Sequence, residues 1–166
     1  MIDATEGVTH QDQRLAERID ASGCATVVVL NKWDMLNPED RDGVLAEVAD
    51  RLAFLSYAPV LKTSALTGRN VTRLLPALSL SIEDYHRRVP TRRVNEVIRA
   101  AQQAQPGPHG VKVLYATQAA VDPPTFTLFA NRELPHHHLR YLERSIREAF
   151  GFGSTPIKLR VRKKQD

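Results

Sequence analysis

The chain has 166 residues, 42% hydrophobic and 25% charged, which allows one ordinary domain or two small ones of a globular protein. No apolar run approaches the roughly 20 residues that cross a bilayer, residues 1–6 carry no basic and apolar secretory signal, and a single cysteine, Cys24, excludes an intrachain disulfide. The net charge of +4 hides a split: residues 1–87 carry 9 Lys+Arg against 13 Asp+Glu, and residues 88–166 carry 14 against 6. An acidic half followed by a strongly basic half points to two modules, 1–87 and 88–166, with the basic one suited to nucleic acid.

Taken in order, Met1-Ile2-Asp3 reads as the tail of a strand. Thr9 and Asp12 have the spacing of a capping box, Leu15, Ala16 and Ile19 keep helical period, and Gly23 supplies a stop. Cys24 opens the next apolar run and is expected to be a small buried residue. The run Val27-Val28-Val29-Leu30 reads as a strand covered on both faces, as in a parallel sheet. It stops at Asn31-Lys32-Trp33-Asp34. Asn37-Pro38 opens a second helix with Val44, Leu45, Val48, Leu52 and Leu55 on one face. Pro59-Val60-Leu61-Lys62 is a second short strand, followed by Thr63-Ser64-Ala65-Leu66-Thr67-Gly68. A third helix starts near Asn70 and carries Val71, Leu74, Leu75, Leu78 and Ile82, with Pro76 kinking it or resetting its start. Helix–strand–helix–strand–helix implies parallel strands with crossover helices.

Ligands in open α/β sheets bind beyond the carboxyl ends of the strands. Asn31 to Asp34 and Ser64 to Leu66 close two successive strands, so both are expected on one sheet edge. A carboxylate accepts two hydrogen bonds side by side. Guanine offers two adjacent donors and adenine does not, so Asp34 is expected to select guanine. Asn31 is expected to contact the base and tie neighbouring loops, the Lys32 stem to cover the base, and backbone N–H groups of Ser64, Ala65 and Leu66 to face the guanine oxygen. Asn31-Lys32-Trp33-Asp34 and Ser64-Ala65-Leu66 resemble the two guanine-specificity motifs of the GTP-binding protein superfamily. The sequence contains no G-x-x-x-x-G-K-[ST]. The expectation is a partial P-loop GTPase-type α/β sheet whose first strands, phosphate loop, switches and Mg²⁺ ligands would precede Met1. No residue of this chain is then catalytic and none binds metal.

In the basic half, Thr91 opens a helix with Val94, Val97, Ile98 and Ala101 on one face. Residues 111–116 and 125–129 read as strands. Leu139, Leu142, Ile146 and Phe150 mark another helix stopped by Gly151. Residues 155–162 form a last strand with apolar residues on one face and Lys/Arg on the other. The order α-β-β-α-β predicts a small α+β domain with helices on one side of a three-stranded sheet. Arg160, Arg162, Lys163 and Lys164 are the candidate RNA contacts. Gly107-Pro108-His109-Gly110 matches the GXXG pattern of KH domains, but it joins a helix to a strand and is not expected to clamp nucleotides. His136-His137-His138 has the wrong spacing for one metal and is expected to be a solvated helix start.

Tyr115-Ala116-Thr117-Gln118, Pro123-Pro124-Thr125-Phe126, Arg140-Tyr141-Leu142-Glu143, Arg147 to Phe152 and Thr155-Pro156-Ile157 resemble the C-terminal KH-like domain of the Der (EngA) family of bacterial GTPases. Ile2 to Gly7 and Asn31 to Asp34 resemble that family's second G domain. The resemblance implies a cytoplasmic fragment of a GTPase implicated in large ribosomal subunit assembly, away from membranes. Its implied ligands are GTP and GDP, with Mg²⁺ needed only in the intact protein. Its implied partners are ribosomal RNA and an upstream G domain. The fragment alone is expected to hydrolyse nothing. The alternative is a non-enzymatic RNA- or protein-binding module with a vestigial guanine edge.

Overall fold

A computed structural model describes residues 1–163. Lys164, one of the four candidate RNA contacts, lies outside them. The chain divides into two compact units at Glu83/Asp84.

The first unit holds a three-stranded parallel sheet in the order β1 (Ile2–Asp3), β2 (Val28–Asn31), β3 (Val60–Lys62). Ile2 pairs with Leu30, and Leu30 with Lys62, so the carboxyl ends of all three strands lie together. Helices α1 (His10–Ser22) and α2 (Pro38–Arg51) are the crossovers. Helix α1 starts as its sequence dictates. The Thr9 hydroxyl accepts from the Asp12 N–H (3.2 Å), the Asp12 carboxylate accepts from the Thr9 N–H (3.0 Å), and Gly23 ends the helix at φ 74°. The core gathers Ile2, Val8, Val28, Leu30, Trp33, Val44, Val48, Leu52 and Leu55.

Two expectations fail here. Strand β2 begins at Val28, so Cys24 lies in the loop after Gly23 and is exposed, its thiol accepting from the Ser22 hydroxyl at 3.1 Å. Chain leaving an αL cap needs several residues to realign before it can pair, and Cys24 falls within them. Strand β2 is fully covered on one face only, since Val28 and Leu30 are buried and Val29 is half-buried. Of the two roles expected of Pro76, the structure has the reset start: helix α3 (Leu74–His86) begins only after a 3₁₀ turn at Val71–Arg73 and carries Pro76 in its first turn, where no kink is required. Its apolar residues are not a buried face: Leu75 is 74% exposed, and Leu78, Leu80 and Ile82 are exposed as well. Periodicity marks which residues share a face, not whether anything covers it.

The second unit is an α+β layer. Its sheet runs β4 (Val113–Ala120), β5 (Thr125–Ala130), β6 (Lys158–Lys163), with β5 central, antiparallel to β4 and parallel to β6. Helices α4 (Thr91–Ala104) and α5 (His136–Phe150) cover one face. Val94, Ile98, Leu142 and Ile146 meet Phe126, Leu128, Ala130 and Phe152 in the core. Gly151 caps α5 at φ 70°. Pro108–Gly110 form a 3₁₀ turn, capped by Gly107, between α4 and β4, as the sequence order requires.

Polar side chains seal the margin of this layer. Gln118, 2% exposed, accepts from the Val89 N–H at 2.7 Å and donates to the Arg87 carbonyl at 2.8 Å. Asn95 makes the same two-way pairing with the Ala116 N–H and carbonyl, at 2.9 and 2.8 Å. His138 contradicts the expectation of a solvated triplet. His136 and His137 are exposed, but His138 is 1% exposed and its Nε2 has no hydrogen-bond partner. Three consecutive helical residues cover about 200° of the helix circumference, so a helix packed on a sheet must turn at least one of them inward. Burial, with the charge of His137 beside it, holds the His138 pKa below its ordinary value.

Two outcomes follow from these buried polar groups. Gln118→Leu strands a buried N–H and a buried carbonyl, and urea unfolding should report a loss of about 2 kcal/mol for the second unit. An unchanged midpoint would contradict the bridging role. His138 takes up its proton in the unfolded chain near pH 6.5 and in the folded chain only at lower pH. Stability must therefore fall as pH drops below about 6.5. His138→Leu should flatten the fall in unfolding midpoint between about pH 7.5 and 5.5; an equal fall in both proteins would refute it.

Candidate nucleotide-binding edge

The carboxyl edge of the parallel sheet brings Asp3, Asn31 to Asp34 and Lys62 to Leu66 together. The backbone fixes the strands first. The Thr63 N–H donates to the Leu30 carbonyl (2.8 Å), the Trp33 N–H to the Thr63 carbonyl (3.0 Å), and the Ala4 N–H to the Asn31 carbonyl (2.9 Å). The Asn31 side chain then joins the two expected motifs, its Oδ1 accepting from the Ala65 N–H at 2.9 Å. An acceptor is used for this tie, so the donor end of the Asn31 amide is the part suited to a base.

The second motif is a closed turn. Ser64 is buried, its N–H donates to the Arg69 carbonyl (3.1 Å), and its hydroxyl accepts from the Thr67 N–H (3.1 Å). Asn70, at φ 57°, donates its amide to the Lys62 carbonyl at 2.9 Å and pins the turn's far end. The N–H groups of Ser64, Ala65 and Thr67 are therefore committed to the protein. Among the described residues, the Leu66 N–H has no acceptor, and the Leu66 side chain is 88% exposed.

Lys32 takes the left-handed conformation at φ 62°, a conformation uncommon outside glycine, and so starts the 3₁₀ turn Trp33–Met35. Its ammonium pairs with Asp3. Hydrogen bonding from Lys32, and then from Thr5, lowers the Asp3 pKa to about 2; the same pairing raises that of Lys32. Trp33 is buried in the core, with the Lys62 ammonium 5.4 Å and the Arg41 guanidinium 6.0 Å from its ring centroid. Trp33 is thus an anchor of the turn, flanked by cations. Asp34 is half-buried, and its Oδ1 is shielded from solvent with no hydrogen-bond partner. A carboxylate in that condition lacks donors that water would give it, and a ligand with N–H groups supplies them.

The donor and acceptor set fits a guanine base. Asp34 accepts only, the Asn31 amide retains its donor end, and Leu66 offers a backbone N–H. Asp3 and Asn70 were not expected as parts of this edge. The first is far from Lys32 in sequence, and nothing in an isolated Asp announces its pairing; the second comes two residues after Gly68, where an Asn in αL is a recognisable turn signal. Among the described residues no three His, Cys, Asp or Glu side chains gather as they would around a metal ion. No helix among them is long and apolar enough to cross a membrane.

In the second unit, Arg160, Arg162 and Lys163 are exposed on β6. Arg160 pairs in register with Thr127, Arg162 with Phe129 and Lys163 with Ala130. Arg160 and Arg162 therefore share the face turned away from the helices, while Lys163 lies on the face of Ala130, beyond the core. Pro108 and His109 stand in the 3₁₀ turn after α4, with His109 at φ 54°.

Comparison with known proteins agrees with this division. Residues 88–162 match the KH-domain-like family of EngA bacterial GTPase enzymes, C-terminal, and residues 1–84 match the elongation factor Tu GTP binding domain. The chain is 44% identical over 174 residues to the GTPase Der of Synechococcus sp. (strain RCC307), covering 99% of this chain and 38% of that protein. It is 43% identical over 171 residues to the GTPase Der of Moorella thermoacetica, covering 98% and 39%. It is 42% identical over 172 residues to the GTPase Der of Alkaliphilus oremlandii, covering 99% and 39%. The chain thus spans about two fifths of the length of these relatives. A solved structure of Era with MgGDPNP and nucleotides 1506–1542 of 16S ribosomal RNA aligns over 100% of this chain and 65% of that chain, at 21% identity and a TM-score of 0.41. With both units matched, the chain belongs to the Der (EngA) family of bacterial GTPases and joins part of a GTP-binding domain to the C-terminal KH-like domain.

Proposed function

We propose that residues 1–87 are the base-reading part of a guanine-nucleotide-binding domain, and residues 88–166 an RNA-binding KH-like domain, of a GTPase acting in large ribosomal subunit assembly in the cytoplasm. The observation that carries the reading is the unpartnered, shielded Oδ1 of Asp34, held beside a turn that Asn31 fastens to the same edge. Asp34 accepts from the guanine ring N–H and exocyclic amine. The Asn31 amide donates to the base, the Lys32 stem lies along its plane, and the Leu66 N–H donates to the guanine oxygen. Adenine presents an acceptor to Asp34 and an amine to Leu66, and is rejected at both points.

The phosphate contacts and Mg²⁺ belong to other parts of the intact protein, because the 166 residues hold no G-x-x-x-x-G-K-[ST]. Phosphoryl transfer depends on those contacts, which hold the phosphates and stabilise the transition-state charge. This chain therefore reads the base and leaves hydrolysis to the whole protein. An upstream G domain and ribosomal RNA are its partners, the RNA through Arg160, Arg162, Lys163 and Lys164. A non-enzymatic module would keep the basic sheet and show no base preference at Asp34.

Three outcomes test the proposal. Asp34→Asn exchanges one acceptor for a donor. Titration with fluorescent nucleotide analogues should show the guanine affinity of the chain falling about tenfold or more, while xanthine, which has a carbonyl where guanine has the amine, gains. Equal affinities for guanine and adenine in the unaltered chain would refute base reading. The purified chain should release phosphate from GTP no faster than buffer; release abolished by Asp34→Asn would contradict the assignment of hydrolysis elsewhere. Any RNA affinity should fall steeply with added salt, because it rests on phosphate neutralisation; a flat titration would count against the basic domain as the RNA surface.

A further inference from the structure

The sheet of the second unit has one face in the core and one face turned away from both helices. Phe126, Leu128 and Ala130 point into the core. Alternation then puts Thr125, Thr127 and Phe129 on the other face, where Thr125 and Thr127 are buried and Phe129 is half-buried, so the accessible part is the Tyr115–Phe129 end and the β6 cations. Register extends this face to the neighbouring strands. Tyr115 pairs with Phe129, which pairs with Arg162; Thr117 pairs with Thr127, which pairs with Arg160; Thr125 pairs with Lys158.

The face has two features that neither the fold nor the guanine edge uses. First, Tyr115 and Phe129 form an aromatic pair, centroids 5.9 Å apart and ring planes at 42°, outside the hydrophobic core. Tyr115 is 48% exposed and Phe129 half-buried. Second, Lys158, Arg160 and Arg162 line the β6 edge at every second residue, roughly 6.6 Å apart. Strands β4, β5 and β6 contain no acidic residue. Among the described residues none of these three cations belongs to an ion pair, whereas Arg92, Arg93, Arg144 and Arg147 are paired on their own helices.

We propose that this face is a stacking platform for single-stranded RNA, with a base on Tyr115 and Phe129 and the phosphates following Lys158, Arg160 and Arg162. The proposal rests on the RNA-binding reading of the second unit and names the surface and the form of RNA. Charge selects a polyanion, and an exposed ring pair selects one whose bases are unstacked. A duplex hides its base faces and would gain only from the cations. The GXXG match at Gly107 to Gly110 plays no part, since it lies in the 3₁₀ turn before β4.

The test is fluorescence anisotropy of the whole chain with a labelled 12-nucleotide oligoadenylate and with a 12-base-pair RNA duplex. The single strand should bind more tightly. Tyr115→Ala should weaken it about tenfold or more, and Tyr115→Phe should restore affinity to within about twofold. Arg162→Gln should weaken both RNAs and reduce the salt slope by about one. Photocrosslinking of 4-thiouridine RNA to the unaltered chain should label residues 113–130, an outcome independent of any variant's folding. RNA binding that is indifferent to Tyr115, with crosslinks elsewhere, overturns the platform and leaves RNA binding intact. Equal or tighter binding of the duplex overturns the single-strand assignment. Binding of neither RNA overturns both the platform and the RNA-binding reading beneath it.

Discussion

The hydrogen bond from the Ala65 N–H to the side-chain Oδ1 of Asn31 is the contact on which the candidate site depends. Parallel strands deliver two loops to one edge, but they do not fix the distance between the loops. Asn31 does so with a side chain at the last residue of β2, reaching a turn that begins just after β3. The bond also uses up the Ala65 donor. Ser64 and Thr67 spend theirs inside the turn. What is left toward a ligand is a short and chemically definite set: the Asp34 carboxylate, the donor end of Asn31 and the Leu66 N–H. In the proposed guanine reading, specificity arises by elimination, since the protein has already satisfied the groups around those three.

The same edge shows how charge is kept in order without a ligand. Lys32 sits in αL, a conformation that costs free energy for a residue with a Cβ. It pairs with Asp3 at the end of the neighbouring strand. Trp33 fills the core directly after it, with the Lys62 ammonium and Arg41 guanidinium over its ring. The tetrad thus alternates roles along four consecutive residues: a tie, a paired cation, an apolar anchor and a half-buried acceptor. The turn cannot slide by one residue without burying Lys32 and exposing Trp33. That constraint holds Asp34 where a base can meet it.

Much of this was legible in the sequence because it is written locally. Thr9 with Asp12, Gly23 and Gly151 mark helix ends through groups a few residues apart. The apolar strands stopping at Asn31 and Lys62 place both motifs on one edge from topology alone. What was not legible depends on distant partners. Cys24 reads as the start of a strand, yet pairing begins four residues later. His138 reads as one of three equivalent histidines until a sheet is packed against its helix. Leu75, Leu78 and Ile82 share a helix face by spacing, but the sequence does not say whether that face is covered. Gln118 looks like a polar residue in an exposed strand and instead bridges the backbone at Arg87 and Val89. The neighbourhood of Tyr115, Phe129 and Arg162 depends on strand register, which no local pattern specifies.

The central claim is that this chain carries a guanine-reading edge complete in itself, apart from any grip on phosphate. The most direct measurement is a nuclear magnetic resonance titration of the ¹⁵N-labelled chain with GDP and, separately, with ADP. The account predicts guanine-dependent shifts of the backbone amides of residues 31–34 and 64–66, the Leu66 amide among them, and little response to ADP. Shifts of equal size with both nucleotides, or shifts located away from these two loops, would contradict it.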